Sequence, residues 1–203
     1  MCERLTPPLT LDIFVIGNLE KNFLGRRNEA MKRSKSSLVM LLNTDIEVSN
    51  FEPAIGLFEG DPKLFSVTFS PESSETGTVR EVEFANGGSS IYRREIWNKI
   101  GGIDMMFEPY WWDDVDYSYR ARKTGYKILE DGRIKVAKRG DMGVKVLSRN
   151  PKAVFIERRN RLLFLMKHKP EEYRKVRDNL FWLPFVIVAE RRFKKFYPRG
   201  YEE

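Results

Sequence analysis

Through its first two thirds the chain places apolar residues in short blocks cut by Gly, Pro, Asn and Asp; after that they recur at helical spacing. The block 11–16, LDIFVI, is rich in β-branched and aromatic types and predicts a buried strand ended by Gly17 and Asn18. A helix is expected over about 25–35, through Asn28, Ala30 and Met31. Residues 37–42, SLVMLL, predict the clearest central strand, which runs directly into Asn43-Thr44-Asp45 and then Ile46-Glu47-Val48. A helix over 51–58, a turn at Asp61-Pro62 and a strand over 64–69 follow, then a Ser/Glu/Gly-rich loop over 71–78. Residues 79–84 alternate as a half-exposed strand should, and Asn86-Gly87-Gly88-Ser89-Ser90 leads into a helix over 93–100 that stops at Gly101-Gly102. Strands are expected over 126–129 and 134–137 around a turn at Asp131-Gly132, then a loop at 140–143. From Pro151 the pattern is helical, with Phe155, Ile156, Leu162, Leu163, Leu165 and Met166 on one side until Pro170. This alternation predicts an α/β fold: one domain over 1–150 with a mostly parallel sheet flanked by helices, and a helical extension over 151–203 packed on it. Neither a repeat nor a heptad pattern is present.

Within this frame the stretch 104–122, DMMFEPYWWDDVDYSYRAR, stands apart, because Asp113, Asp114 and Asp116 directly follow Trp111 and Trp112. Carboxylates shielded from water by aromatics cost free energy unless a cation, a proton or donors compensate. Two readings coexist. The acids cap a helix and complement its dipole, or they do chemistry from a rigid helix start. A similar pair of readings applies to Asn43-Thr44-Asp45. The acid lies where a strand ends, the edge at which open α/β sheets bind ligands, yet Asn and Asp also simply favour turns. Gly87, Gly88 and Ser89 either let backbone approach a ligand or form a tight turn. Arg26 and Arg27, near a helix start, either meet an anion or are ordinary solvated arginines.

Charge narrows the partners without choosing among them. Lys and Arg number 36 against 29 Asp and Glu, a net charge of +7 that suits an anionic partner. No nucleic-acid partner is expected, since the acids fall inside the most organised region and no nucleic-acid-binding motif is present. Cys2 is the single cysteine, which excludes an internal disulfide and a cysteine-built zinc site and fits a reducing compartment. The single histidine, His168, is expected to be a solvated residue near a helix end rather than a ligand. No signal peptide opens the chain, and no uncharged apolar run reaches the roughly 18–20 residues that span a bilayer.

Taken in order, a strand ending in NTD, then EFANGGSSIYRREIWNKIGGID, then FEPYWWDDVDYSYRARKTGYKI closely resembles the GT-A glycosyltransferases, specifically the family-2-like inverting enzymes. The resemblance runs from about residue 38 to 129 and more weakly to 161. It implies a nucleotide-sugar-dependent, hexosyltransferase-type enzyme that moves a sugar with inversion to an acceptor hydroxyl on a glycan, a protein or a lipid-linked carrier. By position it makes Asp114 the general base and places Asp45 and Asn43 in a Mn2+ or Mg2+ and diphosphate site of the D-x-D type. Arg26, Arg27, Asn28, Thr44, Gly87, Gly88 and Ser89 fall on the donor side, and Trp111, Trp112, Asp113 and Asp116 bind the acceptor or shape the site. One of the two tryptophans is expected to be core. Where relatives supply a metal-binding histidine this chain has Lys138-Arg139, which implies direct neutralisation of the diphosphate. The usual opening strand pattern of the family is missing, so nucleobase recognition is unassigned. The alternative is a catalytically degenerate relative that binds a glycan or a partner.

In the tail, LFWLPFVIVA at 180–189 is followed by Arg191, Arg192, Lys194 and Lys195 interleaved with Phe193, Phe196 and Tyr197. This reads either as an anchor on an anionic membrane surface or as a packed helix with a solvated basic end. The expected location is the cytoplasm, peripheral at the inner face of the membrane under the first reading. A sheet edge completed by a second copy would give a homodimer.

Overall fold

The computed structural model describes residues 10–16, 22–139 and 150–198. Gly17-Asn18 and the loop at 140–143 lie outside the described residues. In chain order the elements are β1 (Leu11–Ile16), α1 (Phe23–Arg33), β2 (Leu38–Asn43), β3 (Ile46–Ser49), α2 (Glu52–Gly60), β4 (Leu64–Thr68), β5 (Val79–Glu81), β6 (Ser89–Arg93), α3 (Arg94–Lys99), α4 (Asp113–Lys123), β7 (Lys127–Asp131), β8 (Lys135–Lys138), α5 (Pro151–His168), α6 (Pro170–Arg177) and α7 (Leu183–Phe196).

The central sheet has the order β1-β2-β6-β4-β7-β5. β1 with β2 and β4 with β7 are parallel pairs, whereas β6 and β5 run against their neighbours. Four of the six strands therefore share one direction, as the alternating pattern predicts. β2 shows why both faces need cover: Val39 and Leu41 join a core with Phe65, Tyr92, Trp97 and Tyr117, while Leu38, Met40 and Leu42 join one with Ala54, Phe58, Val67 and Ile91. Successive side chains alternate faces, so an all-apolar strand can only be central. Leu162, Leu163, Val186 and Ala189 belong to the first of these cores, which packs the C-terminal helices directly on the sheet.

Two expectations are corrected. β1 is an edge strand and not a buried one: Ile13 and Val15 are 48% and 63% exposed. Composition marks a strand but not its place in the sheet. The strand after Asp131-Gly132 does not pair back on β7. It pairs antiparallel with β3, Ile46 opposite Lys138, as a separate two-stranded sheet. Arg133 binds back to Asp131 through its backbone N–H and guanidinium, and Gly132 donates to the Thr78 carbonyl, so the chain leaves the main sheet at this turn.

Candidate active site

The register of β2 against β6 brings the first two segments of interest together. Leu42 lies opposite Ser89, and the Asn43 N–H donates to the Gly88 carbonyl at 2.8 Å. A Cβ on Gly88 would overlap the Asn43 amide, and one on Gly87 would overlap the Arg27 guanidinium. The glycines are thus required by two protein side chains packed against them.

Beneath the 86–88 loop lies an aromatic floor. Tyr92 on β6 and Tyr117 on α4 meet hydroxyl to hydroxyl at 2.7 Å, and Tyr92 also donates to the Asn86 carbonyl at 3.2 Å. Both rings pack on Trp97 with centroids 5.0 Å away. Edge-on aromatic pairs of this kind add about 0.5–1.5 kcal/mol each beyond burial, which makes the floor rigid. Three further bonds lock α4 to the loop. Ser118 Oγ accepts from the Ala85 N–H at 3.0 Å, Asp114 Oδ2 accepts from the Gly87 N–H at 3.3 Å, and Arg27, which pairs with Asp113 Oδ2 at 2.7 Å, also donates to the Gly87 carbonyl.

The acid pair occupies the first turn of α4, where Asp114 Oδ1 also takes the Val115 N–H at 2.9 Å. Burial pushes both carboxyls above the ordinary carboxylate range, against the pull of Arg27. They are neighbours and titrate as a unit. Asp113 touches the guanidinium, yet burial still pushes its carboxyl up to about 7; Asp114, which has only backbone donors, is raised as well.

Asp116 behaves in the opposite way. Burial alone would raise its carboxyl, but His168 at 2.7 Å, Arg120 at 2.8 Å and Lys167 at 2.9 Å outweigh it and hold the group well below the usual range. Lys167 continues to Asp104 at 2.7 Å, which Tyr197 also reaches. Asp116 is fully buried in this network, so of its two expected roles the burial leaves shaping the site and not contact with an acceptor. His168 is likewise not solvated; it is 9% exposed, and burial lowers its pKa, so it is neutral at pH 7.

Trp111 and Trp112 carry φ angles of 72° and 66°, a left-handed conformation that costs side-chain-bearing residues about 1 kcal/mol or more each. Asn160, fully buried on α5, holds them there. Its Nδ2 lies 2.8 Å from the Tyr110 carbonyl, 2.9 Å from the Trp111 carbonyl and against the Phe107 carbonyl. Arg159 adds a bond to the Glu108 carbonyl. Trp112 is the core member of the pair, donating to Glu157 at 3.0 Å and packing on Phe164, whereas Trp111 contacts Tyr110. Sequence reasoning missed Asn160 and Lys167. Both sit at the spacing of Ile156 and Leu163 on an apolar helix face, and a polar residue in a core register is the signal that marks them.

On the donor side three residues are engaged within the protein or buried. Arg27 is 3% exposed and wholly engaged by Asp113 and Gly87, closed to a diphosphate. Asn28 clamps Ile103 from both sides, accepting from its N–H at 2.9 Å and donating to its carbonyl at 2.8 Å. Ser89 is fully buried at the start of β6. Arg26 and Thr44 are exposed. Asp45 Oδ1 is buried and accepts no hydrogen bond from any described residue, and Ser89 Oγ is likewise without a partner among them. The Asp45 carbonyl takes the Arg139 N–H at 2.8 Å, which sets the 138–139 segment beside it; the Arg139 guanidinium pairs with Glu47. Among the described residues no three His, Cys, Asp or Glu side chains cluster as a ready metal cage. An open depression of about 580 Å³ lies away from the acids, lined by Glu47, Ser74 and Lys135 of the β3–β8 region.

No protein-family model and no curated protein matches the sequence. Among solved structures, GalNAc-T7 with UDP, GalNAc and Mn2+ is similar at a TM-score of 0.59 and 12% identity, over 87% of this chain and 42% of that one. The chain thus has the GT-A glycosyltransferase fold. Weaker likenesses are the mannosyltransferase PcManGT from Pyrobaculum calidifontis with GDP-Man and Mn2+ (TM-score 0.48, 15% identity, 86% of this chain and 50% of that one) and A197 from STIV (0.45, 13%, 60% and 70%). The chain spans less than half the length of the first of these structures.

Proposed function

We propose that the protein is an inverting glycosyltransferase in which Asp114 takes the proton of the acceptor hydroxyl. The observation that carries this reading is the placement of Asp114. It is fixed at a helix start by the Gly87 N–H, one residue from the glycine that packs on Asn43. The acceptor oxygen attacks the anomeric carbon as the bond to the diphosphate breaks, and its proton passes to Asp114. The raised pKa of Asp114 brings this base closer to working pH. Arg27 pairs with Asp113 and draws both carboxyls down against burial, so the pair stays within reach of a working pH. Trp111, the less packed tryptophan, is the acceptor platform.

Asp45 and Asn43 fit a hard cation because one carboxylate oxygen is without a donor and an amide carbonyl stands beside it in the chain. Mn2+ or Mg2+ needs few protein ligands when diphosphate and water complete the shell, and when bound it stabilises charge on the leaving diphosphate. Exposed Lys138 adds a point charge on the same edge. That the GalNAc-T7 structure holds UDP, GalNAc and Mn2+ supports a nucleotide-sugar donor. The test is a nucleotide-sugar panel read by thermal shift with and without Mn2+, then transfer with the stabilising donor. Asp114→Asn should keep the shift and lose transfer by about a thousandfold or more, and NMR of the wild-type product should show the inverted anomer. Transfer by Asp114→Asn at wild-type rate refutes the assignment. The thin set of metal-ligating side chains favours a second reading, a donor-binding relative without turnover; a thermal shift without transfer in the wild type would establish it.

A further inference from the structure

The C-terminal helix has two unlike faces. Its inner face is fixed: Val186 and Ala189 are buried, Glu190 accepts from Tyr173 at 2.8 Å, and Arg192 donates to the Met105 and Met106 carbonyls. The outer face cannot be hidden by rotating the helix. Leu183, Ile187 and Val188 are 45%, 44% and 37% exposed, and the turn before them adds Leu180 at 82% and Phe181 at 61%. At 3.6 residues per turn Leu183, Ile187, Arg191 and Lys194 lie on one arc with Val188 and Lys195. Arg191, Lys194 and Lys195 are exposed and have no ion pair among the described residues. Across the edge of the patch, the Arg158 guanidinium lies 4.8 Å from the Phe181 ring and 5.3 Å from Phe185, and Arg161 lies 5.6 Å from Trp182.

We propose that this outer face of α7 docks in the headgroup region of an anionic bilayer. Leu180, Phe181, Leu183, Ile187 and Val188 enter the boundary with the acyl chains, and Arg191, Lys194 and Lys195 meet lipid phosphates. A contiguous group of large exposed apolar residues is unusual on a soluble surface and marks an interaction site. Its basic border and flanking aromatic–cation contacts are the chemistry of an interfacial helix. A second copy is the poorer occupant, since a two-fold contact on this face would set its uncompensated cations against their own copies. No described helix is long and apolar enough to cross a membrane, so the contact is peripheral. The proposal is independent of glycosyl transfer and does not need turnover to be tested.

The test is flotation of the full chain with phosphatidylcholine vesicles and with vesicles containing about 30% phosphatidylglycerol. Binding should favour the anionic vesicles by about tenfold or more and fall steeply by about 0.5 M salt. Leu183→Glu with Ile187→Glu, and separately Lys194→Glu with Lys195→Glu, should each lose most of the binding while circular dichroism and melting temperature stay as in the wild type. All four positions are exposed, which protects the fold. Undiminished binding by both variants, or no wild-type binding to either vesicle, overturns the proposal. So does a dimer in light scattering that the Leu183/Ile187 variant abolishes, which would assign the face to a second copy.

Discussion

Replacing Asn160 tests whether the C-terminal helices hold the acid pair in place. The amide is fully buried and its Nδ2 faces three carbonyls, those of Phe107, Tyr110 and Trp111. An NH2 group has two hydrogens, so the three contacts amount to about two full bonds. Asn160→Ala strands those carbonyls at about 1–3 kcal/mol per unsatisfied group. The left-handed strain at Trp111 and Trp112 is then released locally, so the segment relaxes before the whole fold does. Together these set the expected stability loss at about 2–3 kcal/mol, read as a fall in the urea midpoint at unchanged slope. Asp113 and Asp114 follow Trp112 directly, so the same relaxation moves Asp114, the proposed base. A displacement near 1 Å costs about a hundredfold in rate, and the transfer rate should fall by that order while donor binding persists. Asn160→Asp keeps the shape and removes the donors. At pH 7 it should be at least as destabilising as alanine. Its Oδ1 keeps the Arg159 guanidinium at 2.7 Å, but its new Oδ2 meets the three carbonyls with no hydrogen to offer them. If both variants unfold within about 0.5 kcal/mol of the wild type and turn over normally, Asn160 is not what holds the segment from Phe107 to Trp112.

Asp116→Asn should cost about 3–5 kcal/mol at pH 7, because Lys167 and Arg120 lose a buried anion. The folded pKa of Asp116 is held far below its unfolded value near 3.9. Its stabilisation is thus present above about pH 4 and fades as pH falls, and urea unfolding should show the two proteins converging below that pH. A gap of constant size would contradict the ion network. Arg27→Met removes the charge that pulls the Asp113 and Asp114 carboxyls down, so the acid limb of the pH–rate profile should move to higher pH. An unmoved limb would separate the pair from catalysis. Gly88→Ala should displace the Asn43 amide at a stability cost of about 1–2 kcal/mol and abolish the Mn2+-dependent part of the donor thermal shift. A full shift in that variant would remove Asn43 from the site.

The parts of this molecule that were legible in the sequence are those set by local chemistry. An unbroken apolar run such as 38–42 can only be a central strand, and Asp113 after a tryptophan pair opens a helix as expected. What was not legible depends on pairing across the chain. Ile13 and Val15 have strand composition whether the strand is central or at the edge, and nothing local to 134–137 reveals that its partner is β3. Arg27 looks like a surface cation until Asp113, 86 residues away, folds against it. His168, by its neighbours Lys167 and Lys169, reads as solvated, yet α5 carries it to Asp116. Gly87 and Gly88 read in the sequence either as backbone approaching a ligand or as a tight turn, and in the structure the groups packed on them are the Arg27 guanidinium and the Asn43 amide.

The first turn of α4 shows how one short segment divides structural from chemical work. Asp113, Asp114 and Asp116 share a helix dipole, so it cannot distinguish them, and burial separates only the half-buried Asp114 from the other two. What does distinguish them is the number of compensating groups. Asp116 meets two cations and an imidazole and is held as an anion at any working pH, which fits it for fastening α4 to α5 and unfits it for proton transfer. Asp113 and Asp114 share one guanidinium between two carboxyls, and the deficit raises the pair toward the range where a carboxylate can accept a proton and release it again. The fastening also serves the proposed base. Because Asp116 ties one turn of α4 to the C-terminal helices and Asn160 ties the residues just before it, Asp114 is fixed from both directions and needs no rigid contact of its own beyond the Gly87 and Val115 N–H groups. A base held in this way keeps one carboxylate edge free of cations, the condition under which it can meet a substrate hydroxyl.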